Sequence, residues 1–222
     1  MFITFEGPEG SGKTTQIRLL ADALRERGRE VVTTREPGGV PAAEQIRELV
    51  LNSDLVPEAE ALLFLAARAE HARKVIRPAL ERGAVVICDR FTDSTIAYQG
   101  YALGLPLPQL RNLCEFASTG LQPNLTLLLD LPVETGLGRR LGAQLPLDID
   151  VSTDATAQSQ QVNKLDARAV EFHRRVRKGF LKEAESEPRR IYRVDASRSI
   201  KQVQQDIWKE VRRRLREKGT RA

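Results

Sequence analysis

Short runs of aliphatic and β-branched residues alternate along the chain with longer stretches whose apolar positions recur every three or four residues. Five runs predict strands: 2–6 (FITFE), 30–34 (EVVTT), 84–88 (AVVIC), 125–130 (LTLLLD) and 190–194 (RIYRV). Ile17, Leu20, Ala21 and Leu24 mark one helix face, and Gly28 stops that helix where a left-handed cap is needed. The stretches 41–51, 57–81, 106–118, 133–141, 164–186 and 199–218 predict further helices. Strands alternating with helices predict an α/β fold, a five-stranded parallel sheet flanked by helices in three layers. The run LTLLL is apolar at nearly every position, as a strand buried on both faces has to be. Residues 142–163 break the alternation. They hold three aspartates and no lysine or arginine, and they end in a Ser/Thr/Gln/Ala stretch. Such a segment is either a lid over a site or a disordered insertion.

At 222 residues and 24.8 kDa the chain can bury a full core as one domain, without disulfide or metal cross-links. Hydrophobic residues at 41% and charged residues at 29% exclude fibrous, wholly disordered and membrane-spanning chains. Two cysteines, Cys88 and Cys114, are too few for a disulfide framework or a zinc cage. With no basic leader ahead of a short apolar start, they lead to the expectation of a cytoplasmic protein. The net charge of +5 invites a nucleic-acid reading, but all of it sits in the basic helix end 208–222. The remaining residues carry 28 charges of each sign, so no nucleic-acid partner and no membrane partner is expected.

Directly after the first strand run stands Gly7-Pro8-Glu9-Gly10-Ser11-Gly12-Lys13-Thr14, which fits G-x-x-x-x-G-K-[ST]. Glycines at these points let the backbone curl so that successive N–H groups face phosphate oxygens, and the next helix adds its positive end. Lys13 is placed to reach the β- and γ-phosphates, and the Thr14 hydroxyl to take a position on Mg²⁺. The P-loop predicts a nucleoside triphosphate site. A GTPase is the rival, because Asn163-Lys164-Leu165-Asp166 spells N-K-x-D. That tetrapeptide follows no strand, and none of the eleven aspartates begins a D-x-x-G turn, so it reads as coincidence. Asp89-Arg90 follows the run AVVIC, at the sheet edge where open α/β folds bind ligands. An aspartate there can hold water on Mg²⁺ and an arginine can grip a phosphate, or the two can be a strand-end ion pair. Asp130 ends another strand in the same way, and position alone does not choose between the two aspartates.

The chain resembles the bacterial thymidylate kinases, P-loop enzymes that phosphorylate dTMP with ATP. The likeness rests on FEGPEGSGKTTQ at 5–16, TREPGGVPAAEQIR at 34–47, LLFLAARAEH at 62–71, DRFTDSTIAYQG at 89–100, TLLLDLPVETGLGR at 126–139 and VDAS at 194–197. It implies a lid over 136–165, Mg²⁺ with the ATP, and a homodimer; the apolar run within 59–69 suits burial against both sheet and partner. For the acceptor, it implies that Phe64 stacks on thymine and Arg68 bonds the carbonyl edge of the base. By spacing alone these residues share one helix face, and core packing with a snorkelling arginine is the other reading. Arg90 is implied to hold the dTMP phosphate, with Arg35 and the Glu36-Pro37 turn beside the same substrate. Thr95, Tyr98 and Gln99 fall where the family contacts base and sugar, and Glu9 where it faces the acceptor sugar. Ala196 corresponds to the loop beside adenine. The lid departs from the family pattern: Asn163-Lys164-Leu165-Asp166 stands where an Asp-Arg-aliphatic-Glu signature is implied. Cations for catalysis are therefore sought in Lys13, Arg90 and the lid flanks, Arg139 first and Lys164 next. Another nucleoside monophosphate or deoxynucleoside kinase, or a nucleotide-binding homologue with an impaired lid, remains as an alternative.

Overall fold

The computed structural model describes the backbone of residues 1–144 and 158–219, and the side chains of residues 1–139 and 170–217. Its strands are β1 (Phe2–Glu6), β2 (Val31–Arg35), β3 (Val85–Asp89), β4 (Leu125–Asp130) and β5 (Ile191–Asp195). They form one sheet in the order β2-β3-β1-β4-β5, with every neighbouring pair parallel. The expected five-stranded parallel sheet is thus present. The helices are α1 (Lys13–Arg25), α2 (Pro41–Asn52), α3 (Pro57–His71), α4 (Arg77–Glu81), α5 (Thr92–Thr95), α6 (Leu107–Ser118), α7 (Val133–Gln144), α8 (Gln158–Ser186) and α9 (Ile200–Gly219).

Alternation along the central strands fills a core on each side of the sheet. Ile3 and Phe5 of β1, Val85 and Ile87 of β3, and Leu125, Leu127 and Leu129 of β4 pack with Leu20 and Leu24 of α1 and Ile207 and Val211 of α9. Phe2, Val86 and Cys88 turn the other way, onto Ile76, Ala79 and Phe91. Thr4 shares the face of Phe2 and meets Thr126 across the β1–β4 pair, hydroxyl to hydroxyl at 2.8 Å. The second face therefore grows polar toward its carboxyl end. Glu6, next in that alternation, is fully buried there.

Local signals set several boundaries as expected. Pro41 and Pro57 open α2 and α3, where the missing N–H costs nothing. Gly28 adopts φ 72° past the end of α1. Ser199 and Gln202 form a reciprocal capping box at the start of α9, with Ser199 N–H donating to Gln202 Oε1 at 3.1 Å and Gln202 N–H to Ser199 Oγ at 3.4 Å.

Other boundaries differ from the expectation. Strands β2, β3 and β5 each run one residue further than the apolar runs, ending at Arg35, Asp89 and Asp195. Backbone pairing carries them on: Arg35 and Asp89 are in register, Glu36 N–H donates to Asp89 O at 2.9 Å, and Arg90 N–H to Phe5 O at 2.9 Å. The helix expected over 57–81 is interrupted by a π-helical turn, Ala72–Ile76. Pro78 has no N–H for the ladder, and just before it the register slips so that Arg77 N–H donates to Ala72 O, five residues back. No element was expected between Asp89 and Pro106, yet α5 runs into a π-helical stretch, Ile96–Ala102. Five of those seven residues are buried, so no polar face reveals the helix, and Gly100 fits where a β-carbon would lie 2.5 Å from Leu107. Helix α8 begins at Gln158, six residues before the expected Lys164. The remainder of the expected lid, 145–157, lies outside the described residues, as do the side chains of Arg140 and Lys164.

Candidate active site

Three adjoining cavities open at the carboxyl edge of the sheet. The first, about 410 Å³, is lined by Pro37, Phe64, Arg68, Thr95, Tyr98 and Gln99, with Glu9 and Arg90 at one end. The second, about 540 Å³, lies over the P-loop from Glu9 to Thr15 and is bounded by Arg35, Asp89, Arg90 and Arg139. The third, about 470 Å³, runs from Gly10 and Arg139 to Ala196 and Arg198. Glu9, Glu36, Arg47 and Arg90 line both the first and the second, and Arg139 both the second and the third. One continuous groove results.

The P-loop is shaped by close backbone approach. A β-carbon on Gly7 would stand 2.4 Å from Leu129 O, and one on Gly10 would stand 2.1 Å from Gly136 O. Gly136 of α7 answers in kind, since its own β-carbon would lie 2.3 Å from Glu9 O. Gly12 meets nothing but holds φ 86°, a left-handed value that glycine adopts without penalty. Lys13 is buried and donates to Gly7 O and Pro8 O, both at 3.1 Å. Burial, with the Arg90 guanidinium nearby, pulls its pKa down to about 8. An incoming phosphate anion acts in the opposite sense and keeps the ammonium charged.

Arg90 occupies the junction of the first two cavities. Its φ of 69° is uncommon for a residue with a side chain and costs roughly 1–2 kcal/mol. The guanidinium donates to Glu9 Oε1 at 2.7 Å and Ser94 Oγ at 3.2 Å, and it lies 5.0 Å from the centre of the Tyr98 ring. Burial opposes its charge, but Tyr98, Glu9 and Glu6 outweigh that and keep its pKa high. Tyr98 and Gln99 lie on the π-helical stretch; Gln99 donates to Glu60 Oε1 at 2.7 Å.

Arg68 is 3% exposed, so the snorkelling reading is wrong. It donates through Nε to Glu36 Oε2 at 2.7 Å, through Nη1 to Thr95 Oγ1 at 3.0 Å and Cys114 Sγ at 3.6 Å, and through Nη2 to Phe91 O at 3.0 Å. Four of its five N–H groups hold the protein together, leaving one at Nη2. Glu36 also pairs with His71 Nδ1 at 3.0 Å, beside the cis Glu36–Pro37 peptide. Phe64 is half-buried on the cavity wall, outside the packed core. Arg35, held by both oxygens of Glu44 at 2.9–3.0 Å, faces the second cavity, not the first.

The two aspartates separate clearly. Asp130 is gripped by Arg177 at 2.7 and 3.1 Å and by Arg193 at 2.6 and 3.0 Å. Partial burial alone would raise its pKa, yet the two arginines hold the carboxyl below its usual range. Asp89 lines the P-loop cavity with Thr14, and its Oδ1 is buried with no hydrogen-bond partner among the described residues. Arg139 donates to Ala196 O at 3.1 Å, tying α7 to the loop after β5.

A sequence model of the thymidylate kinase family matches residues 5–207. The chain belongs to the thymidylate kinase family. It is 52% identical over 217 residues to the thymidylate kinase of Synechococcus sp. (strain JA-3-3Ab), covering 97% of each chain, and 47% identical over 210 residues to that of Syntrophotalea carbinolica, covering 93% of each. The crystal structure of thymidylate kinase from Ehrlichia chaffeensis is similar at a TM-score of 0.74 and 35% identity, over 96% of this chain and 98% of that one.

Within this family member, the groove also holds residues not singled out in the sequence. Arg47 lines two cavities and donates to Pro37 O at 3.3 Å, but in the sequence it reads as one more helix arginine. Glu36 was seen only as part of a turn, and nothing local shows its pairing with Arg68. The contact between Gly136 and Glu9 is equally invisible in the sequence, and it makes a test. Gly136→Ala should push the P-loop aside and lower kcat/KM for ATP by about tenfold or more. Gly138→Ala, whose added methyl meets nothing within 4 Å, should stay close to wild type in the same steady-state assay.

Proposed function

We propose that the chain transfers the γ-phosphoryl group of ATP to the 5′-phosphate of dTMP, giving ADP and dTDP. The observation that carries this reading is Arg90 at the junction of two cavities, one over the P-loop and one walled by Phe64, Arg68, Thr95 and Gln99. Phosphoryl transfer asks mainly for alignment of two phosphates and neutralisation of charge, and that arrangement offers both.

In this reading the P-loop amides from Gly7 to Thr14 and Lys13 hold the donor phosphates, and Ala196 borders the adenine. Phe64 stacks on thymine, worth roughly 1–3 kcal/mol. The remaining Arg68 N–H, Thr95 and Gln99 read the edge of the base, while Tyr98 and Glu9 flank the sugar. Arg90 orients the attacking phosphate, with Arg35 and Pro37 beside it. Mg²⁺ would supply further charge neutralisation, held by the Thr14 hydroxyl and, through water, by Asp89. The unpartnered Asp89 Oδ1 supports that choice over Asp130. Among the described residues no cluster of His, Cys, Asp or Glu can hold a metal alone, so substrate oxygens and water would complete its shell. Arg139, lining both donor cavities, is the arginine best placed to meet transition-state charge; Lys164 is the second candidate, within a lid spanning 136–165.

Two further parts of the reading concern the setting. A cytoplasmic home is consistent with the absence, among the described residues, of a helix long and apolar enough to cross a membrane. A homodimer is supported by exposed Leu62 of α3 and Leu113 and Phe116 of α6, at 57%, 40% and 82%, on helices that pack together. The wild type is expected to sediment as a dimer and a Leu62→Glu/Phe116→Glu double variant as a monomer. A monomeric wild type would remove the dimer from this reading.

ADP release measured across dTMP, dUMP, dCMP, AMP and GMP should show dTMP preferred. Preference for another acceptor would make this a different nucleoside monophosphate kinase. Asp89→Ala should lower kcat and shift the Mg²⁺ dependence with little change in the urea midpoint. Asp130→Ala should instead destabilise the fold by about 1 kcal/mol, through the two solvent-screened arginines it leaves unpaired, and spare the Mg²⁺ dependence. Arg139→Ala should lower kcat by about a hundredfold or more; a near-neutral result would move the catalytic cation to Lys164.

A further inference from the structure

We propose that Glu6 is a positioning residue for the acceptor phosphate, acting through Ser94 and the turn that carries Arg90. The inference rests on the reading of Arg90 as the ligand of that phosphate.

Glu6 ends β1 and is wholly buried, yet no arginine or lysine among the described residues bonds its carboxylate. Its partners among these residues belong to the segment just after β3. Oε1 accepts the Phe91 amide at 2.7 Å and the Ser94 amide at 3.3 Å, and Oε2 meets Ser94 Oγ at 2.5 Å. Ser94 Oγ in turn accepts from Arg90 Nη1 at 3.2 Å. A three-membered chain, Glu6–Ser94–Arg90, thus runs from the centre of the sheet to the junction of the two cavities.

The same carboxyl also fixes the backbone from which Arg90 projects. Arg90 sits at φ 69° with its N–H on Phe5 O, and the next amide, that of Phe91, is held by Glu6. Consecutive residues of β1 therefore clamp the left-handed turn on both sides. A conformation that a side-chain-bearing residue disfavours persists only when its surroundings over-determine it, and Glu6 supplies part of that. Asp93 anchors the following turn from beneath, bonded to both Arg190 Nη atoms at 2.7 Å, so α5 has little freedom to compensate for a lost Glu6.

A strand-end carboxyl beside an arginine would ordinarily compete with a phosphate for the guanidinium. Here burial first, and then the Asp93 charge, push the Glu6 pKa up to about 8, against the opposing pull of Ser94, Arg90 and the Phe91 amide. Burial thus disfavours charge on this carboxyl. Both amides donate to Oε1 and the Ser94 hydroxyl donates to Oε2. The anchor reaches Arg90 through the Ser94 hydroxyl, while the carboxylate paired directly with its guanidinium is that of Glu9.

The test is the ratio of dTMP to thymidine affinity, measured by calorimetry, because the two ligands differ only in the phosphate. Glu6→Ala should cut that ratio by about tenfold while thymidine affinity stays within about threefold of wild type. Glu6→Gln, which keeps the acceptor for both amides at Oε1, should keep most of the ratio. In an Arg90→Ala background, Glu6→Ala should change the ratio no further. The proposal is overturned if Glu6→Ala leaves the ratio intact, if it weakens both ligands equally, or if Glu6→Gln loses as much as Glu6→Ala. If Glu6→Ala does not fold, Ser94→Ala decides, with an unchanged ratio again overturning the proposal. If Arg90→Ala itself leaves the ratio unchanged, the reading of Arg90 fails and this inference falls with it.

Discussion

Charge buried at the carboxyl edge of the sheet has to be answered within the protein, and the architecture of the site follows from that requirement. Lys13, Glu36, Arg68 and Asp93 are each at most 8% exposed, and Glu6 is not exposed at all. An isolated ion at such depth is prohibitively costly, so each is paired or capped by polar groups. Arg68 meets Glu36, Asp93 meets Arg190, and Lys13 rests on two P-loop carbonyls. Glu6 takes the remaining solution, capped by two amides and a hydroxyl.

Such matching fixes groups before any ligand arrives. A guanidinium with four of its N–H groups committed cannot swing, and an arginine held at both backbone and side chain presents its charge in one direction. Preorganised charge of this kind does not have to reorganise during the reaction, which is how electrostatic catalysis gains its advantage over water. The residues with more room to respond lie further out: Arg139 bonds a loop carbonyl, and Arg35 is half exposed.

The groove also shows why a P-loop fold suits a two-substrate transfer. Parallel pairing sends all five strand ends to one edge. The loop after β1 becomes the phosphate cradle, the segment after β3 carries Arg90, and the loop after β5 borders the third cavity. Close approach of Gly10 to Gly136 then brings α7, and with it Arg139, over the cradle. The two cavities that share Arg90 meet because the strands that feed them, β1 and β3, are neighbours in register from Phe2↔Val86 to Phe5↔Asp89.

Alternation and glycine placement are properties of short segments, and the sequence alone determined what depends on them: the parallel sheet, the P-loop with Lys13 and Thr14, and the first turns at Pro41, Pro57 and Ser199. The motifs it shares with thymidylate kinases also marked most of the groove, from Phe64 and Arg68 to Tyr98 and Gln99. Tertiary structure decided the rest. The helix from Thr92 to Ala102 exists because it is enclosed by α6 and α8, so its residues show no amphipathic period. Asp89 and Asp130 end strands in the same way, and only the presence of Arg177 and Arg193 beside one of them separates their roles. Spacing left Arg68 either on a binding face or snorkelling to the surface, and its burial is decided by Glu36, thirty-two residues away in the chain, folded against it. Glu6 ends an apolar run as an ordinary charge, and it becomes a buried anchor for the turn after β3 only where the fold removes water from it.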